Sequence, residues 1–241
     1  DGSNTDTITV TVNVQDVNEF SPEFSDGATA TATPNENQQA VGTYAATDTD
    51  GTATQTYSIL TAAQNAASVD HDLFSVAGGG VLTFASAPNY EAPGCGAGDD
   101  SNTCVVVLSV TDGANTDTIT VTVNVQDLND ETPSFTSSAT PTINENVQNV
   151  VTLASSDADS GDTVTYAITG GADQALFEIN GGTTLRFKAG AGANYESPGD
   201  AGTNNEYVVI VTASDGATPA NSVAQTITIT ISDVNQFSPE F

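Results

Sequence analysis

The sequence has no methionine, no tryptophan, a single histidine, and only 2 basic residues, Arg186 and Lys188, among 241. Against them stand 31 Asp and Glu, for a formal net charge of −29. So few cations cannot neutralise a phosphate backbone, which excludes nucleic acid as a partner. The same imbalance disfavours an anionic membrane surface. No run of 18 apolar residues exists, so no segment reads as a membrane-spanning helix and no direct membrane insertion is expected. No signal-peptide pattern is visible, and the strand-like opening at Asp1 reads as a piece of something longer. With one histidine, no Ser-His-Asp arrangement and no free nucleophilic cysteine, the chain reads as a non-enzyme.

The two cysteines, Cys95 and Cys104, lie in the Gly/Asp-rich stretch PGCGAGDDSNTCVVV. So close a pair fits a small local disulfide and points to an oxidising compartment. Low hydrophobicity with high net charge can signal disorder. Here the apolar residues alternate with threonine, which occurs 37 times and favours strands over helices.

The chain repeats itself. Residues 1–16, DGSNTDTITVTVNVQD, match residues 112–127, DGANTDTITVTVNVQD, and a diverged third copy, QTITITISDVN, runs to Asn235. The segments DVNEFSPEF (16–24), DLNDETPSF (127–135) and DVNQFSPEF (233–241) follow in step. Asn35-Glu36-Asn37 matches Asn144-Glu145-Asn146, and Asp48/Asp50 matches Asp157/Asp159. Asn89-Tyr90-Glu91 matches Asn194-Tyr195-Glu196, and Asp112-Gly113 matches Asp215-Gly216. A period of just over 100 residues makes each repeat a whole domain. Repeat one is expected at 25–131 and repeat two at 132–237. Residues 1–24 read as the last strand and linker of a preceding repeat, and 238–241 as the start of a following one.

Within repeat one, strands are predicted at 38–47, 54–60, 72–77, 80–85, 103–111 and 117–126. In the last of these Ile119, Val121, Val123 and Val125 share one face, and Thr118, Thr120, Thr122 and Asn124 the other. One buried and one wet face is the pattern of an antiparallel sheet. About seven such strands per repeat imply an all-β, Greek-key β-sandwich of immunoglobulin-like type.

The recurring acids adjoin turns, and gathered like charges repel unless compensated. Hard cations with oxygen ligands supply that compensation, calcium above all. The ordered set NEN, DxD, NYE, [ST]DG and DxN[DE]xxPxF, found twice, resembles the calcium-binding framework of the cadherin repeat. That resemblance implies a calcium-bridged linker holding about three ions. At the junction between the two repeats it implies ligation by Glu36, Asn89, Glu91, Asp127, Asn129, Asp130, Asp157, Asp159 and Asp215, with main-chain oxygens of Leu128 and Glu131. Seven of these are carboxylates, close to the charge of about three divalent ions.

The resemblance further implies an N-terminal partial site of Asn18, Asp48, Asp50 and Asp112, with room for one more ion. A C-terminal partial site would use Glu145, Asn194, Glu196 and Asp233. Two departures weaken the pattern. Asn89 and Asn194 stand where the family usually has Asp, which implies a weaker outermost ion. Glu19 and Gln236 stand where the complete linker has Asp130.

Other residues read as structural. Phe24, Phe135 and Phe241 should anchor first strands in their cores, and Tyr90 and Tyr195 should pack beside the neighbouring glutamates. His71 should be a surface turn residue, and Asp26, Asp70, Asp99 and Asp100 solvated loop acids. The leading function is a calcium-rigidified structural or adhesion module of a long secreted, cell-surface tandem-repeat protein. Its Thr/Asp/Asn-rich, Lys-poor composition resembles bacterial adhesin repeats. Its expected partners are neighbouring repeats, with self-association or a cell-surface protein beyond them. The alternatives are a polysaccharide-recognition module, which the 6% aromatic content and absent tryptophan disfavour, and a fibre subunit assembling through strand 1–15.

Overall fold

A computed structural model describes residues 2–50, 54–96, 98, 100–159, 161, 163–188, 192–216 and 220–235. Asp99, Gln236 and Phe241, like the whole of 238–241, lie outside the described residues. By its internal contacts the chain divides into two units, Asp1–Gln126 and Asp127–Phe241. The linker 127–131 goes with the second unit, ahead of the boundary expected after residue 131. The second unit takes up its backbone: the Glu131 N–H donates to Asp159 Oδ2 at 3.0 Å.

The first unit is a two-sheet sandwich. One sheet orders β2 (Thr29–Ala32), β9 (Thr116–Asn124), β8 (Thr103–Thr111) and β5 (Thr56–Ile59). The other orders β3 (Ala40–Thr43), β7 (Val81–Phe84) and β6 (Phe74–Ala77). All pairings in these sheets are antiparallel except β2 with β9. A short pair, β1 (Glu23–Phe24) with β4 (Ala46–Thr47), completes the unit.

The second unit repeats the plan. Its four-stranded sheet is β11 (Thr142–Asn144), β18 (Ser222–Ser232), β17 (Glu206–Ser214) and β14 (Thr165–Gly170). Its three-stranded sheet is β12 (Asn149–Thr152), β16 (Thr184–Phe187) and β15 (Phe177–Asn180). The short pair is β10 (Ser134–Phe135) with β13 (Ser155–Ser156).

The alternation in 117–126 does what it predicts. Ile119, Val121 and Val123 are fully buried, and the intervening threonines face outward. Each such side chain contributes roughly 1.5–3 kcal/mol by leaving water. Two features depart from the expected strands. The opening strand of each unit is broken into two pieces that pair with different partners, β1 and β2, then β10 and β11. The predicted strand 38–47 is also split, at Tyr44, whose N–H turns to the Gly80 carbonyl (2.8 Å). Gly80 has φ +77°, and a Cβ there would collide with the Tyr44 carbonyl, so only glycine permits this crossing.

Phe24 is 4% exposed and lies in the first core; Phe135 packs against the second. Tyr90 packs against the first core, but Tyr195 is 39% exposed, contrary to its expected packing role. Residues 2–20 form no described strand, and Ile8, Val10, Val12 and Val14 are strongly exposed. A strand requires a ladder, and the described residues offer this segment none.

Cys95 and Cys104 form the expected disulfide. It crosses the first core and contributes about 3 kcal/mol in the chain-entropy picture. In the second unit Tyr207 holds the Cys104 position of the paired strand. It packs edge-on to Phe177 and Phe187, with ring centroids 6.2 and 5.1 Å away. A covalent tie in one repeat is thus replaced by an aromatic cluster in the next.

Asp70 corrects a further expectation. It is not a solvated loop acid but 3% exposed. Its carboxylate accepts the N–H groups of Gly96 and Val105, each at 2.7 Å. Asp173 does the same in the second unit, accepting Ala201 N–H and Val208 N–H at 2.7 Å. The signal was in the sequence: Asp70-x-x-Leu73-Phe74 matches Asp173-x-x-Leu176-Phe177. Asp26 and Asp100 are exposed as expected, and His71 sits in a short 3-10 turn with Nδ1 3.0 Å from the Ser68 carbonyl.

Candidate metal centres

Each unit carries one group of acids in the loops that receive its incoming segment and another around a buried glutamate. In the first unit, β4 ends at Thr47 and releases Asp48 and Asp50, while β8 ends at Thr111 and releases Asp112. The incoming segment binds them: Phe20 N–H donates to Asp50 Oδ2 at 2.7 Å. The Asp50 N–H donates to Asp48 Oδ1 at 2.9 Å, closing an Asx turn. The Asn18 amide nitrogen, in the orientation that satisfies its neighbours, donates to Asp112 Oδ2 at 3.0 Å and to Asp50 Oδ2 at 3.2 Å. The Asp112 pKa is held below its ordinary value, chiefly by the Asn115 backbone N–H, against desolvation and helped by the Ala114 N–H.

The second unit has the same arrangement. Asp157 and Asp159 follow β13, and Asp215 follows β17. Asp159 and Asp215 are 5% and 2% exposed. Asp159 N–H donates to Asp157 Oδ1 (3.2 Å), and Asn221 N–H to Asp215 Oδ2 (2.8 Å). The Leu128 carbonyl accepts the Asp130 N–H at 3.0 Å, which shapes the linker turn. Burial pushes the Asp159 pKa up, opposed by the Glu131 N–H and reinforced by the charges of Asp157, Asp127 and Asp130. The linker acids and the DxD pair therefore share one electrostatic neighbourhood, as expected from their spacing.

The other clusters are built around buried glutamates. Glu36 is 1% exposed; its N–H donates to the Gln126 carbonyl (3.0 Å) and its Oε2 accepts Tyr90 N–H (2.6 Å). Carboxylate oxygens of Glu36 and Glu91 come within 4.8 Å of each other. In the second unit Glu145 accepts Tyr195 N–H and Val234 N–H, each at 3.1 Å. Oxygens of Glu145, Glu196 and Asp233 lie within 4.8 Å of one another. Asn89 and Asn194 each accept a backbone N–H three residues on, at 2.7 and 3.1 Å. They thus shape the NYE turn itself. The ligand set expected at the junction is divided between the units. Glu36, Asn89 and Glu91 lie in the first, and Asp127, Leu128, Asn129, Asp130, Glu131, Asp157, Asp159 and Asp215 in the second.

Hard-oxygen donors without thiolate or imidazole suit calcium or magnesium rather than zinc or copper. The fit goes further. Among the described residues, the buried oxygens Asp48 Oδ2, Asp157 Oδ2 and Asp159 Oδ1 accept no hydrogen bond. A buried carboxylate oxygen with neither donor nor cation is costly.

No family model matches the chain. It is 29% identical over 243 residues to human cadherin EGF LAG seven-pass G-type receptor 2, covering 96% of this chain and 8% of that protein. Human protocadherin Fat 1 is 32% identical over 133 residues, 52% of this chain and 3% of that protein. The solved protocadherin GammaB4 extracellular domain matches with a TM-score of 0.68 at 25% identity, over 92% of this chain and 34% of that one. Each of these matched proteins is a cadherin or protocadherin. Human CDH23 EC21-23 shares the fold, with a TM-score of 0.67 at 21% identity over 89% of this chain and 70% of that one. The chain spans under a tenth of the curated cadherins cited. Among the described residues no helix is long and apolar enough to cross a membrane.

Proposed function

We propose that this chain is a calcium-binding segment of an extracellular, adhesive repeat protein, in which bound calcium stiffens the connection between consecutive repeats. The observation that carries the reading is the set of buried, unbonded carboxylate oxygens on Asp48, Asp157 and Asp159. Asp48 and Asp157 are equivalent positions of the two repeats, and Asp159 adds a third such oxygen in the second. Glu36, Asn89 and Glu91 would hold ions jointly with Asp127, Asn129, Asp130, Asp157, Asp159 and Asp215. The main-chain oxygens of Leu128 and Glu131 would complete the set. The bound cations supply charge neutralisation and oxygen-bridging, and no bond is made or broken. The chain's own part is to hold the acids in place before binding, through N–H donors from Phe20, Glu131, Tyr90 and Asn221.

Residues 1–24 fit the last strand and linker of a preceding repeat. Assembly of fibres by exchanging residues 1–15 into a second copy has little to drive it. Residues 5–15 are identical to 116–126, so an invading strand would make only the contacts it displaces. The resident strand, tethered in the same chain, has the higher effective concentration.

The direct test is calorimetric titration of EDTA-treated, dialysed protein with calcium. Uptake of about three to five ions with dissociation constants of roughly 0.1–1 mM is expected. Heat no greater than that of dilution would refute the reading.

A further inference from the structure

The loops joining β8 to β9 and β17 to β18 differ in length, spanning 112–115 and 215–221. Each nevertheless delivers an asparagine directly before its last strand, Asn115 and Asn221. Three contacts are shared. The Asp112 and Asp215 N–H groups donate to the Asn115 and Asn221 carbonyls, both at 3.3 Å. The Asn115 and Asn221 N–H groups donate back to the Asp112 and Asp215 carboxylates, at 2.6 and 2.8 Å. These two close the loop and could be made by many residues. The third is different. Asn115 Nδ2 donates to the Phe20 carbonyl at 2.9 Å, and Asn221 Nδ2 to the Asn129 carbonyl at 3.2 Å. Both acceptors lie in the linker that enters the unit, some ninety residues away in sequence, at positions two residues apart: Asn129 is the Asn of D-x-N, and Phe20 stands two residues past Asn18.

We propose that Asn115 and Asn221 are positioning residues, each clasping the incoming linker to the loop aspartate of its own unit and so preorganising that unit's calcium ligands. The proposal rests on the calcium reading above and adds residues outside the expected ligand set. The chemistry restricts the side chain. A short amide donates to the carbonyl while the backbone N–H holds the carboxylate. Aspartate in its place would turn an acceptor toward a carbonyl and a carboxylate, and alanine would leave the linker untethered. Without the clasp, an arriving cation must also order the linker, and that cost appears as lost affinity.

The test uses the full chain with Asn115→Ala, Asn221→Ala and both together. In EDTA, the amides of Phe20 and Glu131 should exchange with solvent several-fold faster than in the wild type, read by NMR. Calcium titration should show affinity weakened about tenfold per clasp. The EDTA melting temperature should hold within about 2 °C, because the clasps lie outside the two cores. Unchanged exchange together with unchanged calcium affinity would overturn the proposal. So would a fall in EDTA melting temperature at unchanged calcium affinity, which marks a merely structural role. If the wild type itself takes up no calcium, the calcium reading and the ligand-preorganising role both fail. The exchange rates then decide only whether the linker is clasped.

Discussion

Asp159→Asn is expected to stabilise the protein in EDTA and to destabilise it in calcium. Asp159 is buried and lies in the field of Asp157, Asp127 and Asp130, all of which resist its ionisation. Its folded-state pKa is raised, so the folded protein holds that proton more tightly than the unfolded chain. The associated stability is fully present below the unfolded pKa and is lost as pH rises through the folded one. At neutral pH without calcium, the ionised wild type carries this penalty. The asparagine variant does not, and it keeps an oxygen to accept the Glu131 N–H. A rise in EDTA melting temperature of roughly 2–4 °C at pH 7 is expected, vanishing near pH 3. In calcium the sign reverses, because a charged ligand is gone. Affinity at that site should fall about 10–100-fold. A variant equal to the wild type in calcium would remove Asp159 from the ligand set.

The second large effect concerns an acid outside the expected ligand set. Asp173→Ala should destabilise the second unit by about 3–4 kcal/mol. It strips two short charge-assisted bonds and leaves the Ala201 and Val208 N–H groups without their acceptor. Asp173→Asn keeps one acceptor oxygen and should cost about half as much. Because the chain has two units, urea unfolding should be followed by hydrogen exchange in separate peptides. Protection should fall across Glu206–Ser214 and hold across Thr103–Thr111. A loss under about 1 kcal/mol would mean that water satisfies those N–H groups equally well.

These two aspartates show where sequence reasoning reached and where it stopped. That Asp159 stands among other acids was legible, because its motif recurs beside an acidic linker. Asp70 looked like a solvated loop acid and Asp173 drew no reading, because nothing local to a turn states that its carboxylate will cap a strand some thirty-five residues on. The matching D-x-x-L-F stretches carried that information, but only for a reader comparing repeats outside the motif acids. The long closing strands were legible for a physical reason. In β9 and β18, period-two alternation persists over 9 and 11 residues. The opening strands were not, since two-residue pieces such as β1 and β10 carry no period, and their pairing is set by the partner strand. Tyr195 was misjudged by analogy with Tyr90, which alone reaches a core. Asn115 and Asn221 were missed because their loops differ in length, which hides the match from simple alignment.

The central claim is that the recurring carboxylates are calcium ligands rather than solvated turn-makers. Differential scanning calorimetry of the intact chain in EDTA, then in about 5 mM calcium, tests it most directly. A ligand that binds only the folded state raises stability by RT ln(1 + [L]/Kd). Three sites of submillimolar affinity should together raise the melting temperature by on the order of 10 °C. No rise, with magnesium and calcium alike, would contradict the account and leave the acids as a charged surface on a string of independent sandwiches.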